Sequence, residues 1–295
     1  MSTHAIETRR LSKHFGDVRA VENLDLHVDA GEVVGFLGPN GAGKSTTLRM
    51  LLGLLRPTAG EATILGEPCG SRFAREHVAY VASEVALWPQ LTGREAMALL
   101  ASLHGSCDEA YRDQLIERFE LDANKRIRAM STGNRQKVAL IAAFSTRADV
   151  LLLDEPTAGL DPLMERAFRE CVVESQRRGQ ATLLSSHMLS EVEHLCVRVA
   201  MIRQGVLVTV ADVADLRTRA GMEFDVIGTI GDLTSVEGVV EVSALDDGVR
   251  VRVSGSPVPL LAALAHEEVV ALRTREESLE EVFLSYYDRA PHDTP

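Results

Sequence analysis

No uninterrupted apolar run in the 295 residues approaches the roughly 20 needed to cross a bilayer. The opening MSTHAIETRR also lacks the hydrophobic stretch of a signal peptide, so the chain is expected in the cytosol. Cysteine is scarce and scattered: Cys69, Cys107, Cys171 and Cys196 form no C-x-x-C pair and no metal-like cluster. They read as reduced structural thiols. Positive charge is short as well. The formal net charge is −12, and from Val206 onward 17 acids face 7 bases. Such a surface repels phosphate backbones and anionic lipid, so nucleic acid is not expected as a partner. What the chain does have is apolar residues, 45% of the total, enough to fill the core of one large domain and a smaller one.

The pattern changes twice along the chain. HAIETRRLSKHFG and VRAVENLDLHVDAG alternate like strands of an antiparallel layer. EVVGFLG (32–38), DVLLLDEP (149–156) and ATLLSSH (181–187) are apolar runs too short for helices and read as buried strands. Helical spacing runs from Lys44 to Leu54, a turn is expected at 57–60, and 92–121 is helical in pieces. VAMIRQGVLV (199–208) returns to strand pairing. Strands alternating with helices predict a parallel, doubly wound α/β sheet. Beyond about residue 211 a strand near 223–230, a hairpin at DDG (246–248), a helix at 258–267, a strand at 269–274 and a helix at 278–287 predict a small α+β domain. The expected domains are 1–210, with a helical subdomain at about 87–148, and an acidic accessory domain at 211–295.

GFLGPNGAGKSTT contains Gly38-x-x-x-x-Gly43-Lys44-Ser45, placed between a buried strand and a helix. This is the P-loop arrangement. Glycines let the backbone curl so that successive N–H groups converge on phosphate, the helix N-terminus adds its dipole, Lys44 reaches the β- and γ-phosphates, and Ser45 offers a hydroxyl to Mg²⁺. A metal-side acid is supplied by LLLDE: Asp154 ends a strand and can hold Mg²⁺ directly or through water, and Glu155 is placed to orient or deprotonate an attacking water. The stretch MSTGNRQKVALIAAF (130–144) admits a simpler reading, with Ser131 as the N-cap of a buried helix.

Taken in order, these motifs resemble the ATP-binding subunits of ATP-binding-cassette (ABC) transporters over about residues 5–210. The resemblance implies a P-loop NTPase (RecA-like) core with antiparallel β and helical subdomains, and ATP and Mg²⁺ as cofactors. Gly38, Pro39, Asn40, Gly41, Ala42, Gly43, Lys44, Ser45 and Thr46 match Walker A, and Val150 to Glu155 match Walker B. Phe15 matches the aromatic that stacks on adenine. AGLD (158–161) matches the D-loop, with Asp161 at the contact between two copies, and His187 matches the switch histidine that meets the γ-phosphate. MSTGNRQK falls where the family carries Leu-Ser-Gly-Gly-Gln. There, Ser131 and Gly133 of one copy would face ATP held by the other, in a homodimer closed by ATP.

Two departures stand out. Thr132 and Asn134 replace the family's first glycine and glutamine; a β-branched Thr132 requires ordinary or strained backbone rather than positive φ. In VAYVASEVALWPQLT (78–92) the glutamine-loop position is Ser83, followed by Glu84, and Trp88 reads as either a permease contact or core. The tail ending SLEEVFLSYY resembles extensions of exporter ATPases that serve separate permeases. Its Leu279, Val282, Phe283 and Tyr286 form a stripe expected to pack within the tail or on the second copy. The expected protein is a peripheral ATPase on the inner face of the membrane. The alternatives are an ABC ATPase acting on nucleic acid or ribosomes, and a regulatory module that does not hydrolyse.

Overall fold

The computed structural model describes residues 4–188, 192–219 and 222–276. It divides into two compact units, residues 1–210 and 211–295. The first opens with β1 (Ile6–Phe15) and β2 (Val18–Val28), an antiparallel pair in which apolar residues turn inward. β3 (Val33–Leu37) follows, buried at every position. α1 (Lys44–Leu51) comes next. It stops short of the Leu54 expected from the pattern: the Gly53 N–H folds back to the Met50 carbonyl and Leu54 lies exposed. The turn expected at 57–60 is also shorter, because Ala59 already opens β4 (Ala59–Ile64). β4 pairs antiparallel with β1, with a register shift between Arg9 and Ser12 that brings Ala59 opposite Ser12.

β5 (Glu67–Pro68) completes that layer, α2 (Arg72–Glu76) crosses, and β6 (Val78–Val81) enters the parallel part of the sheet. The helical pieces are α3 (Gly93–His104), started by a Thr92–Glu95 capping box, and α4 (Glu109–Arg118), capped by Asp108. α5 (Thr132–Ser145) carries the buried run Leu140 to Ser145. β7 (Val150–Asp154), α6 (Pro162–Arg177), β8 (Ala181–Ser186), β9 (Arg198–Arg203) and β10 (Val206–Asp212) complete the sheet. Its ten strands run β5-β4-β1-β2-β10-β9-β3-β8-β7-β6, with β9, β3, β8, β7 and β6 parallel to one another. Strands buried on both faces read as continuous apolar runs, which is why β3, β7 and β8 were visible in the sequence.

α4 is fastened to α6 by polar groups. Tyr111 lies between the guanidiniums of Arg147 and Arg178, at 5.1 and 4.8 Å from its ring centroid, and its hydroxyl donates to Glu174 at 2.7 Å. Arg118 adds an ion pair to Glu174 at 2.9 Å.

The second unit contains α7 (Val213–Arg219), β11 (Met222–Thr229), β12 (Val239–Leu245), β13 (Gly248–Val253), α8 (Val258–Leu264) and β14 (Glu268–Glu276). The sheet is antiparallel in the order β12-β13-β11-β14, with Asp246 and Asp247 forming the two-residue hairpin turn. Phe224, Val226, Val251, Val253, Leu260 and Leu264 make its core. α8 is shorter than the 258–267 expected, because the N–H groups of His266 and Glu267 turn back to Ala263 and Leu264 and release the chain into β14. The predicted helix at 278–287, with Leu279, Val282, Phe283 and Tyr286, lies outside the described residues.

Candidate functional site

Three parallel strands, β3, β8 and β7, lie side by side, and the functional side chains stand just past their C-terminal ends. That crest is where open α/β sheets bind ligands. Beyond β3 the chain curls through Gly38 to Gly43 before α1 begins. Gly43 has φ +111°, and a Cβ there would stand 2.5 Å from the Ala20 carbonyl oxygen, so only glycine fits. The Ala42 carbonyl accepts the Gly205 N–H at 2.9 Å, which pins the loop to the turn between β9 and β10. Pro39, Asn40 and Gly41 are exposed at its tip, whereas Ala42 and Gly43 are buried and Ser45 and Thr46 half-buried.

Lys44 is only 5% exposed. Its Nζ donates to the carbonyls of Gly38 at 2.6 Å and Pro39 at 3.3 Å, and lies 3.3 Å from Oε1 of Glu155. The other Glu155 oxygen is 3.3 Å from Nδ1 of His187. Three groups singled out in the sequence, Lys44, Glu155 and His187, therefore meet at one point. Asp154 is 1% exposed; its Oδ1 accepts the Ser185 hydroxyl at 2.7 Å, and Oδ2 is buried with no hydrogen-bond partner among the described residues. Nearby, burial and then the Asp154 charge push the Tyr80 phenol up to about 12. Glu155 has φ +46°, and its N–H bonds both the carbonyl and the hydroxyl of Ser185, at 3.2 and 3.1 Å. An L-residue at positive φ is strained, so these contacts hold the carboxylate aloft against its backbone preference.

Ser131 is exposed at the start of α5 and accepts the Asn134 N–H at 3.3 Å, so it is an N-cap. Thr132 is the first helical residue, on ordinary backbone, and its Oγ1 accepts from Arg135 at 3.3 Å. Gly133 is packed against the AGLD loop: a Cβ would lie 2.6 Å from the Gly159 carbonyl oxygen. Asp161 caps α6, accepting from Leu163 and Met164 at 3.1 and 3.0 Å, with Pro162 at the first helical position. Phe15 ends β1 and is 49% exposed, with Lys13 Nζ 5.0 Å over its ring. Ser83 and Glu84 follow β6, half-buried and exposed respectively, and Trp88 is 46% exposed, which removes the core reading.

Sequence reasoning missed Ser185 and Gln136. Ser185 stands two residues before His187 on β8, where Thr182 and Ser186 are polar as well, so nothing local singled it out. Gln136 is buried at 2% and donates to the Pro156 carbonyl at 2.9 Å. Its only trace was a polar residue on the inward face of α5.

Residues 21–158 match the family described as ABC transporter. The Nod factor export ATP-binding protein I of Burkholderia pseudomallei is 34% identical over 303 residues, covering 96% of this chain and 97% of that one. A solved ATP-binding subunit of an ABC transporter shares 30% identity, with a TM-score of 0.68 over 73% of this chain and 92% of that one. The dimeric structure of MJ0796, described as a bacterial ABC transporter cassette, is 23% identical, with a TM-score of 0.65 over 70% of this chain and 98% of that one.

Proposed function

Because this chain belongs to the ATP-binding proteins of ABC transporters, we propose that it powers an exporter, working as a pair of identical chains beneath a separate membrane permease. As a member of that family it binds and hydrolyses ATP. The observation that supports the residue assignment best is the meeting of Lys44, Glu155 and His187 within 3.3 Å contacts at the crest of the parallel sheet.

In this reading the P-loop N–H groups and Lys44 hold the phosphates, and Phe15 stacks on the adenine. Glu155 accepts a proton from the attacking water as the water oxygen bonds to the γ-phosphorus and the bond from that phosphorus to the β–γ bridging oxygen breaks, releasing ADP and phosphate, while His187 steadies the γ-phosphate. Rate enhancement comes from placement and charge stabilisation rather than covalent chemistry. Asp154 and Ser45 would hold Mg²⁺. The donor set fits, because Asp154 presents a buried oxygen that takes no other hydrogen bond among the described residues. Bound there, the ion would neutralise charge building on the β- and γ-phosphates.

Ser131 and Gly133 act on the other copy's ATP. The N-terminus of α5 offers N–H groups and a helix dipole suited to a phosphate, and the related cassette MJ0796 was solved as a dimer. Asp161 sits at the same seam. No helix among the described residues is long and apolar enough to cross a membrane, so the pathway is assigned to a separate permease that holds the ATPase at the inner face of the membrane. Export as the direction is supported by the relative named for Nod factor export.

Glu155→Gln tests the reading. It should bind ATP, accumulate as a dimer on size-exclusion chromatography, and hydrolyse at least about 100-fold more slowly. Full turnover in that variant would falsify the assignment of the base. Mixing Lys44→Ala with Ser131→Ala chains should restore one intact composite site; no recovery of ATP-driven dimerisation would count against sharing across the pair.

A further inference from the structure

Gln136 is a buried polar side chain, 2% exposed, and its amide donates to the carbonyl of Pro156, 2.9 Å away. Pro156 directly follows Glu155, the residue held at φ +46°. One turn earlier on the same helix, Gly133 presses its Cα against the Gly159 carbonyl, closely enough that a Cβ would come within 2.6 Å. Residues 156 to 159 are thus held at two points by the end of α5 that Ser131 caps. A residue in a sparsely populated conformation stays there only when its surroundings over-determine it. From one side the determinant is Ser185, whose carbonyl and hydroxyl take the Glu155 N–H. From the other it is Gln136.

We infer that Gln136 is a positioning residue: it ties the helix end carrying Ser131 to Glu155 of the same chain, and so lets the nucleotide met by that helix end set the acid next door. The inference rests on the proposed roles of Glu155 and Ser131. It adds a mechanical link between the two sites of a pair. A shift of the α5 terminus against the other copy's phosphate moves Gly133 and Gln136 together, because they lie one turn apart on one rigid helix. The displacement reaches Pro156, and with it the placement of the Glu155 carboxylate against Lys44 and His187. Two sites joined in this way fire in concert instead of independently.

Gln136→Met keeps the length and volume of the side chain and removes the donor. Gln136→Glu keeps the shape and, when ionised, replaces the donor with an acceptor. Both should lower kcat about tenfold while KM for ATP moves less than about twofold, the split expected when a contact matters mainly beyond ground-state binding. The dependence of rate on ATP should become that of independent sites. ATP-driven dimerisation, followed in a Glu155→Gln background, should persist. Because Gln136 acts through Glu155, adding Gln136→Met to Glu155→Gln should leave the residual rate unchanged. Parental kcat in both single variants overturns the inference, as does a further tenfold loss, about additive, on top of Glu155→Gln. Undiminished turnover in Glu155→Gln itself would instead overturn the reading of Glu155, so the two failures are distinguishable.

Discussion

Lys44 Nζ stands 3.3 Å from Oε1 of Glu155, joining the loop after β3 to the end of β7 inside a site where the lysine is 95% hidden from solvent. In the proposed reading a phosphate taken up by Lys44 would compete for the ammonium that Glu155 holds, linking nucleotide binding to release of the carboxylate. Lys44→Ala should weaken ATP binding and cut turnover by at least about 100-fold. Lys44→Arg should not rescue it, because a planar guanidinium does not fit where one compact ammonium meets the Gly38 and Pro39 carbonyls. Phosphate release and nucleotide fluorescence measure both; near-parental turnover in the arginine variant would contradict the packing.

The positive φ of Glu155 separates backbone strain from chemistry. Glu155→Asn and Glu155→Val both delete the carboxylate and both should be inactive. Asn tolerates the left-handed region and a β-branched residue does not, so the valine variant should be less stable by about 1–2 kcal/mol in chemical denaturation. Equal stability would mean that the surroundings impose no strain at this residue.

Ser131 caps α5, and the proposed reading gives it a second task, toward the other copy's phosphate, that substitutions can pull apart from the first. Ser131→Ala should lose about 1 kcal/mol with its cap. Ser131→Asp keeps a capping oxygen and should keep the thermal midpoint, yet it sets a negative charge where the other copy's phosphate is expected. Dimerisation driven by ATP should then fail in the more stable of the two variants. If Ser131→Asp dimerises normally, the serine is a cap alone.

Glu32 gives a pH test. Its carboxylate meets Arg198 at 2.6 and 2.9 Å and accepts the Asp29 N–H at 2.9 Å. Burial pushes its pKa up, but the Arg198 hydrogen bond, the Asp29 N–H and the guanidinium charge outweigh this and hold it below the ordinary value. A depressed carboxylate contributes stability above its unfolded pKa and loses it as pH falls through the folded one. Glu32→Gln should therefore be about 1–3 kcal/mol less stable at neutral pH, with the gap closing below roughly pH 4. A gap that persists into acid would place the effect in packing.

The strand runs and the P-loop were legible because burial on both faces and phosphate geometry each demand particular residue types in a row. Val33 to Leu37, Gly38 to Ser45 and Asp154–Glu155 announce themselves locally. Gln136 and Ser185 did not, because each works on a partner 20 or 31 residues distant, and only the fold decides which carbonyl or carboxylate they meet. Boundaries at Leu54, at 57–60 and at 267 slipped for a similar reason. Capping turns and a strand register shift decide them, and apolar periodicity carries no record of either. The backbone at Thr132 could be narrowed to two options from its branching, and the first turn of α5 supplies the answer.

α6 has 16 residues and therefore measures about 24 Å from end to end. One end is tied to the AGLD loop through Asp161, and the other is riveted to α4 through Glu174, Tyr111 and Arg118. Burial pushes the Tyr111 phenol up to about 12, so the rivet keeps its proton throughout the physiological range. The helix is thus a strut of fixed length: Asp161 at its start and the Glu174, Tyr111 and Arg118 cluster near its end set the separation between the AGLD loop and α4.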